Sequence, residues 1–197
     1  MARPISPESR ERLLDAAERL FRERGYHAVS MADIAEATGI RKASLYHHVP
    51  RGKEELFVEI ANRGFTRHRQ GLAAALANAE AGLEGQLRAA SRWLITQAPL
   101  GLLAMLQNDM PALAEAHVRG LERSLLESLW LPLTGVFEEA RARGDITVPD
   151  VSSYVGAFVS MMDGLTYIGT SPMGGRSDRS MEEVADELIA MMVRGLK

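Results

Sequence analysis

Apolar residues recur at helical spacing along nearly the whole chain, and no stretch shows the alternation of a half-buried strand. The first helical segment opens at Ser6 and Pro7, residue types suited to an N-cap and a first helical position, and ends at Gly25. Its inward stripe consists of Leu13, Ala17, Leu20 and Phe21. The pattern therefore predicts an all-α protein.

Two short helices are predicted next. Ser30 and Asp33 form a capping-box pattern that opens the first of them, and Gly39 ends it. The second runs over Lys42–His48 and ends before Pro50. Two short helices joined by a few residues that include a glycine are typical of a helix-turn-helix.

The rest of the chain predicts longer helices. The fourth begins near Gly52 or Lys53 and runs past Ala77. Later helical stretches are predicted near 83–98, 100–108, 112–143, 149–168 and 180–195. Pro132 should kink or split the longest stretch, and the Gly/Ser/Pro-rich segment 169–178 is predicted to be a loop.

The net charge of −3 is unevenly distributed. Residues 1–70 hold 13 Lys and Arg against 10 Asp and Glu, whereas residues 71–197 hold 10 against 16. A basic N-terminal part on an acidic remainder is typical of a protein in which only the N-terminal part approaches a polyanion. The sequence predicts a DNA-binding domain over residues 1–52 and a larger helical domain over 53–197.

Several classes of function are excluded or disfavoured. The chain has no cysteine, which excludes disulfide scaffolds, thiolate zinc sites and cysteine nucleophiles. It contains no G-x-S-x-G, P-loop or H-E-x-x-H motif, so we predict neither an enzyme nor a cofactor. The neighbours His47 and His48 point about 100° apart on a helix, so no metal site is predicted. Without a secretory signal or membrane span, a cytoplasmic location is expected.

The third helix carries side chains suited to DNA. Leu45 is its inward anchor, and the other positions are donors or small groups. The candidates for contacts to base edges are Arg41, Lys42 and Ala43, because Arg and Lys read guanine and Ala contacts the thymine methyl. The candidates for phosphate contacts are Ser44, Tyr46 and His47.

Two further phosphate candidates lie at helix N-termini, where backbone N–H groups favour an anion. Lys53 begins the fourth helix, and Ser30 precedes the second. Ser30 is either a cap alone or a cap that also contacts a phosphate. Arg3 is either part of a tail or a basic arm that reaches phosphates.

Six short segments together resemble the TetR (tetracycline-repressor) family. They are Leu14–Phe21, Gly25–Tyr26, Ser30–Ala35, Gly39–Ile40, Ser44–Val49 and Lys53–Leu56. The resemblance implies an all-helical dimeric transcription regulator with three DNA-binding helices at its N-terminus. It also implies a larger domain that binds a small molecule, and a dimer interface formed by the last two long helices. Arg41 stands where this family commonly has a capping Ser, which weakens the cap and adds a candidate base contact.

Two sets of residues in the larger domain are candidates for these implied roles. The apolar, aromatic and histidine candidates for an effector pocket are Trp93, Met105, Met110, His117, Trp130, Phe137 and Met161. For each one, an ordinary core or surface position is the alternative. The candidates for the dimer interface are Tyr154, Phe158, Met162, Leu165, Val184, Leu188 and Met191.

The predicted function is a homodimeric regulator, of the repressor type, that binds a pseudo-palindromic double-stranded DNA operator. A small apolar or amphipathic effector would release it, with the fourth helix as the lever between the two sites. The alternatives are a helical interaction or small-molecule-binding module without DNA binding, and an enzyme.

Overall fold

The computed structural model describes residues 7–97, 105–170 and 179–197, which form nine α-helices and no strand. The helices are α1 (Pro7–Ala28), α2 (Met31–Thr38), α3 (Lys42–His48), α4 (Lys53–Ala77), α5 (Leu83–Thr96), α6 (Glu115–Leu125), α7 (Leu131–Ala142), α8 (Val151–Thr170) and α9 (Met181–Gly195). The predicted all-α class is confirmed.

The breaks between the first helices follow the predicted turn residues. Gly25 has φ of 76° and kinks α1 near its end. Ser30 and Asp33 form a reciprocal capping box at α2, and Gly39 closes that helix in the left-handed conformation with φ of 68°. A side chain at these two glycines would be strained, because the left-handed region disfavours a Cβ.

The middle of the chain is less regular than the predicted single helix over 112–143. Met105–Asp109 is π-helical, Met110–Ala112 is a 3₁₀ turn, and a π-helical turn at Leu126–Trp130 separates α6 from α7. Pro132 lies two residues after the end of this π-helical turn, and Leu125, Trp130 and Leu131 keep right-handed helical angles, so the helix is distorted beside Pro132 and not split. The positions 100–104 and 171–178 lie outside the described residues, and Gly169 belongs to α8 instead of the predicted loop.

The chain forms two compact units, which we call the head and the body. The head comprises the described residues up to Gly64 together with 105–121, and the body comprises 65–97 and the described residues from Glu122 onwards. Within the described residues, the chain passes from one unit to the other inside two helices, at residues 64–65 of α4 and 121–122 of α6. The functional division at residue 52 stays a prediction.

Each unit has its own apolar core. In the head, Leu13, Ile34, Leu45 and Leu56 are fully buried, beside a cluster of the aromatic rings of Phe21, Tyr26 and Phe57. In the body, the largest fully buried side chains are Leu72, Leu87, Leu129, Leu133, Phe137, Phe158 and Ile189. Burying each such side chain contributes roughly 1.5–3 kcal/mol, so both units are held chiefly by apolar packing.

Candidate nucleic-acid interface

The surface of α3 is rich in hydrogen-bond donors. Leu45 is buried and anchors the helix, and Tyr46 is 42% exposed. The other exposed side chains of the predicted reading surface are Arg41, Lys42, Ala43 and His47, and Ser44 is half-buried. Arg41 occupies the N-cap position without capping the helix through its side chain, as its residue type predicts.

The helices of the head hold α3 in place from two sides. Arg10 of α1 donates to both carboxylate oxygens of Glu59 on α4, at 2.8 and 2.7 Å, and reaches the carbonyl oxygen of His48 at 3.5 Å. Val49, directly after α3, is fully buried, and its N–H donates to the carbonyl of Leu45 at 2.9 Å. A short helix gains little stability from its own backbone, so these contacts fix its orientation.

Ser30 is exposed and caps α2, as predicted. Its Oγ accepts from the backbone N–H of Asp33 at 3.2 Å, and the Asp33 carboxylate accepts from the Ser30 N–H at 2.7 Å. The hydroxyl of Ser30 also bonds that carboxylate and is the main cause that lowers the pKa of Asp33. The cap is therefore observed, and the additional phosphate contact stays a prediction.

Lys53 has a structural role that the sequence did not reveal. Its Nζ donates to the carbonyl oxygen of Tyr26 at 2.7 Å and lies 4.1 Å from the centroid of the Tyr26 ring. The ammonium thereby joins the end of α1 to the start of α4. An ammonium has three N–H donors, so this contact leaves two for a phosphate.

The segment before α6 packs onto the base of the head. The Asp109 carboxylate accepts from the Tyr26 N–H at 3.1 Å. The Glu54 carboxylate accepts from the Ala114 N–H at 2.7 Å and lies 2.6 Å from Nδ1 of His117. The pKa of Glu54 is lowered chiefly by its hydrogen bond with His117 and secondly by its hydrogen bond with the Ala114 N–H. His117, predicted as an effector candidate, thus contacts the first turn of α4.

The seven predicted effector residues fall into two groups. Met105, Met110 and His117 belong to the head, and Trp93, Trp130, Phe137 and Met161 belong to the body. Phe137 is fully buried in the core of the body, and Met110 is 4% exposed in the head. Neither unit brings all seven together, so the structure does not support a single pocket within one unit.

The two tryptophans of the body differ in their polar contacts. Trp130 donates from Nε1 to Oγ of Ser152 at 3.1 Å. Trp93 belongs to α5, and its indole ring packs against α4 at Gly71. A Cβ added to Gly71 would be 2.0 Å from that ring. The Nε1 of Trp93 is buried and has no hydrogen-bond partner among the described residues.

His68 is a buried polar residue that the sequence analysis missed. It is 4% exposed, and its ring meets Trp93 edge to face, with centroids 6.5 Å apart. Burial, assisted by the charge of Arg67, lowers the pKa of His68 to about 4, so the ring is neutral near pH 7. The signal was its register, because His68 follows Phe65 by three positions and precedes Leu72 by four on the inward stripe of α4.

Two of the residues predicted for the dimer interface are instead part of the protomer core. Phe158 and Met162 are 0% and 2% exposed within the protomer, so they belong to its core and offer no surface to a second copy. Met191 is 59% exposed, and Tyr154, Leu165, Val184 and Leu188 are half-buried. The exposed apolar surface of α8 also includes Tyr167 and Ile168, at 70% and 54%.

The described residues contain neither a metal-ligand cluster nor a membrane-spanning helix. Within residues 7–97, 105–170 and 179–197, no three His, Asp or Glu side chains gather as ligands for a metal ion. No described helix combines the length and apolar character that a membrane crossing requires.

Comparisons with known proteins match both the head and the full fold. A sequence profile described as "Bacterial regulatory proteins, tetR family" matches residues 13–60. The HTH-type transcriptional repressor KstR2 of Rhodococcus jostii (strain RHA1) is 52% identical over 56 residues, which are 28% of this chain and 26% of that protein. The curated relatives are thus matched over about a quarter of their own length.

Solved structures extend the likeness to the whole chain. PfmR from Thermus thermophilus, described as a TetR family transcriptional regulator, has 27% identity and a TM-score of 0.73, over 94% of this chain and 99% of that one. AibR, solved with isovaleryl coenzyme A and operator DNA, has 25% identity and a TM-score of 0.73, over 93% and 97%. Residues 13–60 thus match the TetR-family profile, and the fold of the whole chain is similar to that of solved TetR-family regulators.

Proposed function

We propose that this protein binds double-stranded operator DNA as a homodimer and represses transcription until a small apolar or amphipathic effector releases it. The observation that carries the proposal is the donor-rich surface of α3, which the buried Leu45 and the contact of Arg10 with the His48 carbonyl hold in place. Exposed donors on a fixed short helix fit the major groove, where base edges are read.

The proposed roles of the head residues follow from their chemistry. The exposed side chains of Arg41, Lys42 and Ala43 contact base edges at the start of α3. The proposed phosphate contacts come from Ser30, Ser44, Tyr46, His47 and Lys53. Base contacts set sequence preference, whereas phosphate contacts strengthen binding to any DNA.

The proposed dimer uses the exposed apolar side chains of α8 and α9. Met191, Tyr167 and Ile168 are more than half exposed, so these helices offer apolar side chains that a second copy could cover. We expect Met191→Asp to convert dimers to monomers in light scattering, and Met191→Leu to leave them unchanged. Dimers that persist in Met191→Asp would contradict this choice of surface.

An effector acts, in this proposal, on the body and changes the head through the two helices that continue between them. AibR is a protein of this fold whose crystal structure holds a small molecule and operator DNA together. Here α4 and α6 both cross from one unit to the other, and Glu54 in the head bonds to residues 114 and 117. Movement of either helix would therefore alter contacts at the base of the head.

The test measures the affinity of the protein for the DNA upstream of its own gene. Fluorescence anisotropy gives this affinity at several salt concentrations. If the dimer neutralises six or more phosphates, its affinity for DNA should fall by about 10³-fold or more when the salt concentration rises from 50 to 200 mM. Tyr46→Ala should weaken binding to specific and random DNA alike, whereas Lys42→Ala should chiefly change sequence preference. The same loss on both DNAs for both variants would contradict the division of roles.

The same assay separates the alternatives. A helical interaction module without DNA binding would show no salt-dependent binding to any DNA. An enzyme would convert a component of a metabolite extract, whereas a regulator would leave the extract unchanged and release DNA in its presence. The relatives are named as transcriptional regulators, which favours the regulator.

A further inference from the structure

Buried polar atoms without a hydrogen bond are concentrated in the body. Among the described residues, six buried side-chain atoms lack one. Three of them belong to ion pairs, since Arg63 lies 2.9 Å from Asp15, and Arg88 lies 3.6 Å from Asp186. The remaining three are Nδ1 of His68, Oε1 of Gln86 and Nε1 of Trp93, all on α4 and α5.

Such atoms require a physical explanation. Burial removes water from a polar group, and native proteins nearly always restore the lost hydrogen bond with a protein group, an ordered water or a ligand. His68 is 4% exposed, and Trp93 lies edge to face against it. Two unpartnered nitrogens therefore lie on adjoining rings between α4 and α5.

The indole of Trp93 is held against the backbone of α4. An added Cβ at Gly71 would be 2.0, 2.2 and 2.4 Å from three atoms of the ring, so the indole occupies the place of a side chain. Gly71 follows His68 by about one helical turn.

The chemistry of the two nitrogens restricts the partner. An indole N–H only donates, so it requires an acceptor, which for a small molecule is most simply an oxygen. His68 is neutral because burial lowers its pKa to about 4, and an anion buried here would have no compensating charge on either ring. The neighbouring stripe positions Phe65, Leu72 and Leu94 are buried and apolar.

We propose that His68 and Trp93 form the hydrogen-bonding subsite of the effector site, and that it takes an uncharged oxygen acceptor carried on an apolar molecule. A ketone, ester or thioester carbonyl has this chemistry. The inference rests on the proposed effector-responsive function and names the chemical class of the effector.

The test uses the two indole N–H resonances of the full-length protein in ¹H–¹⁵N spectra. Trp93 and Trp130 are the two tryptophans of the chain, and Trp130 already donates to Ser152, so it is an internal control. The probes are methyl ketones of four to nine carbons, the matching 2-methyl-1-alkenes, in which a methylene replaces the oxygen, and the carboxylates of the same length.

The expected result is a saturable downfield shift of the Trp93 N–H with at least one ketone, while Trp130 stays in place. The matched alkene should produce no such downfield shift. Trp93→Phe should weaken ketone binding by roughly tenfold, the value of one hydrogen bond, and leave alkene binding unchanged.

Three outcomes would overturn the proposal. They are an unmoved Trp93 resonance with every ketone up to its solubility limit, equal shifts with ketone and alkene, and tightest binding by the carboxylates. The wild-type spectra decide without any variant, so an unstable Trp93→Phe does not affect the result.

DNA binding separates this proposal from the one on which it rests. A ketone that shifts Trp93 in a protein without affinity for DNA would support the subsite and contradict the regulator. A protein that binds DNA with the expected salt dependence, but whose Trp93 no ketone shifts, would support the regulator and contradict the subsite.

Discussion

The head and the body satisfy their polar groups in different ways. In the described part of the head, the one buried side-chain atom without a hydrogen bond is Nη1 of Arg63, which lies 2.9 Å from Asp15. In the body, His68, Gln86 and Trp93 bury polar atoms with neither a hydrogen bond nor an ion pair among the described residues. The difference fits the two proposed roles, because a DNA-reading surface requires a fixed shape, whereas an effector site requires polar groups that are free to bind a ligand.

The largest expected effect tests the core of the body. Phe158→Ala should lower the free energy of unfolding by about 3–5 kcal/mol, because the ring is fully buried within the protomer. Urea denaturation at two protein concentrations measures it. A loss that disappears at high concentration would instead place Phe158 between subunits.

The next effect concerns His68 and acidic pH. Its pKa in the folded protein, about 4, lies below the ordinary 6.5, so between these values the unfolded chain binds a proton that the folded chain does not. This contribution to stability is complete above about pH 6.5 and falls as the pH drops towards 4, by on the order of 3 kcal/mol.

His68→Asn removes this titration and supplies the control. The difference in unfolding free energy between wild type and variant should change between pH 7 and pH 4. A difference that is constant over this range would show that His68 is not kept neutral by burial.

A smaller effect is expected at Gly71. Gly71→Ala should cost about 1–3 kcal/mol, because its methyl group overlaps the indole of Trp93. Gly135→Ala on α7 is the matched control, since nothing lies within 4 Å of its added Cβ and alanine favours a helix. Thermal unfolding compares the two, and equal effects would mean that the indole is not held against α4.

The smallest effect sharpens the role of Lys53 in the head. Lys53→Met should lower stability by about 1 kcal/mol, because it removes the hydrogen bond to the Tyr26 carbonyl and the cation over that ring. Lys42→Met, on the exposed surface of α3, should change stability by less than about 0.5 kcal/mol. Equal stability of the two variants would show that the contacts of Lys53 with Tyr26 do not stabilise the head.

Local signals explain why much of the fold was predictable. Ser30 with Asp33 opens α2 as predicted, and Ser180 with Glu183 opens α9 by the same motif, because a capping box acts within four residues. Gly25 and Gly39 adopt the positive φ that their positions at helix ends suggest. Leu45 is buried as the spacing of α3 requires.

The remaining features depend on contacts between distant positions. The bond from Tyr26 to Asp109 joins residues 83 positions apart, and no local pattern encodes it. Phe158 and Met162 have the residue types of either a core or an interface, and only the packing of the protomer distinguishes the two. The charged neighbours Arg67 and Arg69 concealed the inward register of His68.

The contacts of the head have a consequence for hybrid proteins that join the N-terminal helices of one regulator to the body of another. The polar contacts of the head include Asp109, Ala114 and His117, which follow α4 in the chain by some thirty residues or more. A hybrid that joins this N-terminus to a foreign receptor after residue 52 would carry the reading helix and lose those contacts. Grafting 105–121 as well would preserve them, so the part that would have to be transferred with the proposed DNA-binding helices consists of two separate stretches of sequence.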